Sequence, residues 1–519
     1  MILRKSLMMI LLVILTLLCI SYYIILVKAN SIDNKNLSST TSLSLSTTSS
    51  SLSSLIESIG IKQFYNSDLG DGIRIELVTI LRSLNQHILV AGSKGDRSPY
   101  KQYFDINNDN KKIYYTGYNG KILYPQKYNH IIHMHNSPNK KLYEEDIKTM
   151  FNFYKNDHML FNTDAFICSY PLSFCEAYMP YNKTIIWIAS HRYSLGRCSK
   201  DSWNRLNEHI IESINESKTR PKNIIAAMSK YDVEYINYFT GLNPILIEST
   251  GLLYGALELR SKEKNMLNNK RNEILFVSGS HISNDELNKL MNTAKIKNYS
   301  LVYPHKLYGR YKFEQVISHP AVVIVPHSVH TQSFVEYYAL GVPIFAPTIE
   351  FLITLNVLHE RTTSGRENCL SAQDYDKDGN HIHITVTDHI HHKGVHEKSH
   401  NISHITNLIT PNMHLLSRHV QNPESDDPND IKYWLKFSNI YYWPHVTYFN
   451  NWNELFEIMS SLDLLSIRNK MFEENDKRLS NSIKSWIDVI STIDKGREIP
   501  SNYENALKTL WNVDKLQIE

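Results

Sequence analysis

Ser333 and Glu336 stand in the pattern Ser333-x-x-Glu336-x-x-x-x-Gly341-x-Pro343, between two apolar runs at 322–325 and 342–345. A carboxylate early in a helix can accept hydrogen bonds from both hydroxyls of a ribose, while a serine hydroxyl and free helix-start N–H groups suit a diphosphate. The same spacing also makes a capping box, in which Ser and Glu merely close a helix end. The flanking apolar runs and the Gly341 stop favour the nucleotide reading. Strand, polar loop, helix and strand form a unit of a parallel sheet, and its loop opens at the carboxyl end of a strand, where such sheets bind ligands.

Other groups with chemistry precede this pattern. Lys306 and Arg310 could place fixed cations beside a developing phosphate charge, with solvent-facing charge as the plain reading. Gly279, after an apolar run at 274–277, and Gly70 with Gly72, before a helical period at 73–84, are positions where backbone can approach a ligand closely. His191, His135 and Asp71 each follow a strand or lie at the glycine loop, so each is a candidate base for deprotonating a hydroxyl. Asp374-x-Asp376-x-Asp378-Gly379 copies half of a calcium loop, but Thr385 stands where a bidentate Glu should be. The histidines between 381 and 404 repeat no metal-site spacing. No metal or other cofactor is expected to be required.

The elements that would position these groups alternate between strand and helix. Strands are expected at 87–91, 165–168, 184–189, 223–227 and 245–247, with helices at 73–84, 203–217 and 231–239. After a polar connection at 258–273 the alternation restarts with a strand at 274–277, a helix at 285–294 and a strand at 300–303. The expected fold is therefore α/β, with two Rossmann-like domains facing a cleft: residues 60–255, and residues 256–465 with a His-rich insertion at about 360–430. Residues 466–519 read as terminal helices long enough to cross back and brace the first domain.

Residues 6–27 carry no charge and are almost wholly apolar, long enough to cross a hydrocarbon core of roughly 30 Å. The rival reading is a cleaved signal peptide, but the run exceeds the roughly 7–15 residues of a signal core. Residues 1–29 are thus expected to be a cytosolic tail and membrane anchor, and the Ser/Thr-rich residues 30–58 a stem. The body would be lumenal, which five sequons (Asn36, Asn182, Asn215, Asn298 and Asn401) permit. A formal charge of +3 gives no electrostatic case for nucleic acid. Of the five cysteines, Cys168, Cys175, Cys198 and Cys369 lie in the body and allow one or two disulfides.

The segment 333–343 resembles the donor-binding motif of GT-B glycosyltransferases, especially the S-x-x-E-x-x-x-x-G-V-P form of the UDP-glycosyltransferases. Residues 69–92 are similar to the first glycine loop, helix and strand of that fold. Where the family has His and Gly ahead of the helix, this chain has Ser328 and Val329. The resemblance implies that Glu336 binds ribose, that Ser333 binds a phosphate, and that Lys306 and Arg310 take the place of a metal. It also implies a nucleotide-sugar donor and a glycan, glycoprotein or lipid acceptor, in a Golgi or endoplasmic reticulum protein held by one N-terminal span. The alternatives are a non-catalytic anchored binding protein, whether a degenerate GT-B body or a His-rich metal binder, and a nucleotide-sugar epimerase.

Overall fold

The computed structural model describes residues 58–66, 71–91, 113–116, 147–148, 151–152, 155–156, 158–169, 172–190, 193, 200–215, 223–251, 272–278, 282–309, 311–326, 328–355, 374–375, 381–382, 417–425 and 427–493. Residues 59–519 form one compact unit. The apolar run at 6–27 and all of the stem up to residue 57 lie outside the described residues. Among the described residues no helix is long and apolar enough to cross a membrane.

The chain first lays down β1 (Gln63–Asn66), α1 (Asp71–Ser83), β2 (His87–Ala91) and β3 (Ile113–Thr116). There follow α2 (His158–Phe161), β4 (Ala165–Cys168), a 3-10 segment (Leu172–Tyr181), β5 (Thr184–Ala189), α3 (Lys200–Asn215), β6 (Ile224–Ala227), α4 (Lys230–Thr240) and β7 (Ile245–Leu246). These seven strands make one sheet in the order β3-β2-β1-β4-β5-β6-β7, and every pairing is parallel. Strands β4, β5 and β6 are buried along their whole length. That burial is why AFIC, TIIWIA and IIAA read as continuous apolar runs rather than as alternation. Cys168 at the end of β4 is disulfide-bonded to Cys175 in the 3-10 segment, with Cα atoms 5.6 Å apart. Helix α4 starts on the Ser229 hydroxyl and stops at Gly241, whose φ of 72° is left-handed.

The second half contains β8 (Glu273–Ser278), α5 (Asn284–Ile296), β9 (Ser300–Val302), α6 (Pro304–Tyr308), α7 (Phe313–Ile317), β10 (Val322–Val325), α8 (Gln332–Ala339), β11 (Ile344–Pro347) and α9 (Ile349–Thr354). A two-stranded hairpin, β12 (Asp374–Tyr375) and β13 (His381–Ile382), lies in the His-rich region. The chain closes with α10 (Pro428–Leu435), α11 (Asn439–Tyr442), β14 (Thr447–Phe449), α12 (Trp452–Ser461) and α13 (Leu464–Ser491). The five-stranded sheet runs β14-β11-β10-β8-β9, again with every pairing parallel. In each sheet the chain builds outward on one side and then returns to the other side of the starting strand. The topological switch points therefore lie between β1 and β4 and between β8 and β10, and their carboxyl ends are the ligand-binding places of such sheets.

One apolar core runs through both halves, joining Phe166, Trp187 and Ile225 to Phe276, Val323 and Phe345. The opposite face of the second sheet, Val322, Ile324 and Ile344, is covered by α8 through Phe334 and Val335. Polar contacts add to this join: the Tyr235 hydroxyl donates to Glu424 at 2.7 Å, and the Arg418 guanidinium donates to Glu234 at 2.6 Å. The terminal helix α13 does cross back, as its length suggests. Arg478 pairs with Glu248 beyond β7 at 2.7 Å, and Lys62, just ahead of β1, donates to the Ile493 carbonyl at 2.9 Å.

Candidate functional site

Strand β10 is the apolar tetrad VVIV, buried throughout, and it delivers the loop 326–331 to the switch point of the second sheet. Helix α8 follows from that loop. Its N-cap is Thr331, which makes no side-chain capping bond, and its first turn carries no acidic residue. The N–H of Phe334 is satisfied by the Thr331 carbonyl at 3.0 Å. This placement removes the capping-box reading, which needs Ser333 at the N-cap and Glu336 at the third helical position. Ser333 is instead the second helical residue, and Glu336 lies a turn further in. The positive end of the helix is left without a carboxylate in its own first turn, a setting that favours an anion.

Glu336 is 4% exposed. Its charge reaches the hydroxyls of Tyr311 and Tyr337, whose pKa values are raised chiefly by burial and further by the carboxylate. Those hydroxyls lie 3.4 Å apart. The carboxylate therefore lies within electrostatic reach of Tyr311, just ahead of α7. Gln332 precedes Glu336 by four positions and so shares its helix face.

The rest of α8 is held from three sides. At its C-terminal end Gly341 has a φ of 65°, and any Cβ there would collide with the Phe472 ring of α13. Its carbonyl accepts from Arg468 at 2.9 Å. On a second side Trp443 packs against Phe334 and Tyr338, with ring centroids 5.3 and 4.8 Å away. On the third side Gly251, from the crossover leaving the first half, lies so close that a Cβ would stand 2.6 Å from the Val335 carbonyl oxygen. That crossover is tied to α1, because the buried Glu76 carboxylate accepts from the Ser249 hydroxyl at 2.6 Å and the Thr250 N–H at 2.5 Å.

The first half meets this site through α4. His330 is fully buried, and burial pushes its pKa down, with nearby Asp232 and Gln332 acting in the opposite sense. Asp232 lies in the first turn of α4, at the carboxyl end of β6, and His330 follows the carboxyl end of β10. The Asp232 charge thus reaches the loop that leaves β10. Helix α1, opening at Asp71 and Gly72, follows β1 at the switch point of the first sheet, as α5 follows β8 in the second.

Lys306 lies in α6 after β9, exposed, with its ammonium 4.6 Å from the Tyr303 ring centroid. Ser333 is half-buried at the start of α8. Gly70, His135, His191, Gly279 and Arg310 lie outside the described residues; Glu336 and Ser333 share α8, Lys306 lies on α6, and of the proposed bases only Asp71, at the start of α1, is placed. Three further polar residues belong to this neighbourhood and carry no signal in their spacing. They are Thr331 and Asn439, with buried polar atoms that have no hydrogen-bond partner among the described residues, and Gln332, whose side chain hydrogen-bonds His330. Only Gln332 had an indirect marker, its position beside Ser333.

No protein-family model matches the chain, and no curated protein matches it. Among solved structures it is similar to the glycotransferase of kitacinnamycin, at 9% identity over 85% of this chain and 100% of the other, with a TM-score of 0.32. It is also similar to UGT89C1 of Arabidopsis thaliana complexed with UDP, at 10% identity over 83% of this chain and 100% of the other, with a TM-score of 0.37. Scores this low carry no argument, and the fold reading rests on the two strand orders. By strand order the chain resembles a GT-B glycosyltransferase.

Proposed function

We propose that the chain is a glycosyltransferase that moves a sugar from a nucleotide-sugar donor to a hydroxyl of a glycan, protein or lipid. One observation carries the reading. A helix bearing Ser333 and Glu336 opens, with no side-chain cap and no acidic residue in its first turn, at the switch point of a parallel sheet.

In this reading the diphosphate lies against the first-turn amides of α8 and the Ser333 hydroxyl, and Glu336 accepts from the ribose hydroxyls. The acceptor oxygen forms a bond to the anomeric carbon as the bond from that carbon to the phosphate oxygen breaks. The nucleoside diphosphate departs with the electron pair, and Lys306 and Arg310 offset its charge as fixed cations. The acceptor proton passes to a base from the first half, for which His191, His135 and Asp71 are the candidates. The apolar run at 6–27 would anchor the chain with its body in the Golgi or endoplasmic reticulum lumen. The Cys168–Cys175 disulfide supports an oxidising compartment.

The test is thermal unfolding of the full-length chain against UDP, GDP, CMP, zinc and calcium. At least one nucleotide should raise the melting temperature, and Glu336→Gln should remove that shift without lowering the unliganded value. Stabilisation by zinc or calcium and by no nucleotide would favour a metal-binding protein instead.

A further inference from the structure

Asn439 opens α11 at 1% exposure, and among the described residues neither its amide oxygen nor its amide nitrogen has a hydrogen-bond partner. Folded chains rarely enclose a whole carboxamide unsatisfied, so such a group calls for an explanation. Its surroundings supply one. Ser438 donates to the Val329 carbonyl at 2.6 Å, which fixes the start of α11 on the loop ahead of α8. Tyr441 donates to the Pro347 carbonyl at 3.1 Å, which fixes the other end of α11 at the carboxyl end of β11. Asn439 therefore belongs to the carboxyl edge of the second sheet, the edge that also carries Thr331, whose buried hydroxyl has no hydrogen-bond partner among the described residues.

The chemistry of this set selects among ligand groups. A phosphate oxygen only accepts, and it would leave the amide oxygen of Asn439 facing negative charge. A hydroxyl both donates and accepts, which suits carboxamides and a threonine hydroxyl. Position points the same way. With the ribose at Glu336, the parts of a nucleotide sugar beyond it run toward the N-terminal end of α8, where Thr331 and Gln332 stand.

We infer that Asn439, with Thr331, binds the hydroxyls of the transferred sugar. The inference rests on the donor site proposed above and adds to it the residue that senses the glycosyl group. Asn439 is then a specificity residue for the sugar, separate from the groups that hold ribose and diphosphate.

The experiment uses the full-length chain and compares Asn439→Leu with wild type. Affinities are measured for UDP and GDP and for UDP-glucose, UDP-N-acetylglucosamine, UDP-galactose, GDP-mannose and GDP-fucose. The best nucleotide sugar should lose about tenfold in affinity, as expected for two hydrogen bonds. Affinity for the parent diphosphate should be unchanged, and the unliganded melting temperature should not fall. Unchanged affinity for the nucleotide sugar would overturn the inference. So would a lowered unliganded melting temperature with equal losses for both ligands, which would make Asn439 a structural residue. Binding of the diphosphate by wild type with no gain from any sugar would also overturn it while leaving the donor site standing. If wild type binds none of the probes, the functional reading itself falls.

Discussion

Removing the Arg478 charge should loosen the join between the terminal helix and the first half. The Arg478 guanidinium lies 2.7 Å from Glu248, with side chains 7% and 16% exposed, so water screens the pair little. It also stacks 4.2 Å from the Trp443 ring centroid. Breaking a buried pair by removing one partner costs about 3–5 kcal/mol. Here Glu248 keeps the Tyr442 hydroxyl as a donor at 2.6 Å, so Arg478→Met should sit near the lower end, about 3 kcal/mol. Glu248→Gln keeps its hydrogen-bonding atoms and should cost about 1–2 kcal/mol. The double variant should cost about 2 kcal/mol less than the sum of the singles, because the two side chains share one interaction. Equilibrium urea unfolding, followed by tryptophan fluorescence, measures all three. Lys477→Met on the same helix is the control, since Lys477 is 72% exposed and only 3.7 Å from Glu474, a surface pair worth about 0.5 kcal/mol. The reasoning fails if Arg478→Met costs no more than the control, or if the coupling is below about 0.5 kcal/mol.

Gly251→Ala should destabilise by about 1 kcal/mol for its left-handed backbone plus about 1–3 kcal/mol for crowding α8, given a φ of +59° and a Cβ 2.6 Å from the Val335 carbonyl oxygen. Chemical denaturation unchanged from wild type would mean the crossover does not press on that helix. Burial raises the Glu76 pKa above its ordinary 4.5 against the hydrogen bonds from Ser249 and Thr250. A carboxyl raised in this way stabilises fully below its unfolded pKa and loses that contribution as pH rises through the folded value. Glu76→Gln has no proton to lose, so unfolding curves should shift in its favour relative to wild type from about pH 4.5 upward, and a difference flat with pH would contradict the buried-carboxyl account. Asn215 and Asn298 are exposed sequon residues. In secretory expression each Asn→Gln change should remove one endoglycosidase-sensitive mobility step, and a chain insensitive to the enzyme would argue against a lumenal body.

Where strands are buried on both faces, their composition and length suffice to place them. Strands 184–189 and 322–325 fall where their apolar runs stop. Strand β1 escapes this reading because QFYN is short and polar at both ends, and β3 because it lies in a Tyr-rich stretch with no period. Strand β11 begins at Ile344 rather than Val342, since Pro343 has no N–H to donate and takes part only through its carbonyl, which accepts from Val322 at 2.9 Å. The helical period from 452 onward hides a break at Leu462, because Asp463 caps a new helix and LLSI belongs to it. The motif locates Ser333 and Glu336, but only folding tells a cap from a site, through the choice of Thr331 as N-cap. Asn439 and Gly251 reach α8 from distant segments, and no local spacing can announce that.

The central claim is that this site transfers sugar rather than merely holding a nucleotide. Incubating the full-length chain with labelled nucleotide sugars and mixed glycan acceptors, and measuring nucleoside diphosphate release together with labelled product, tests it most directly. The account predicts stoichiometric release and transfer with at least one donor, lost in Glu336→Gln while the variant stays folded. Tight nucleotide binding with no release, or turnover that survives Glu336→Gln unchanged, would contradict it.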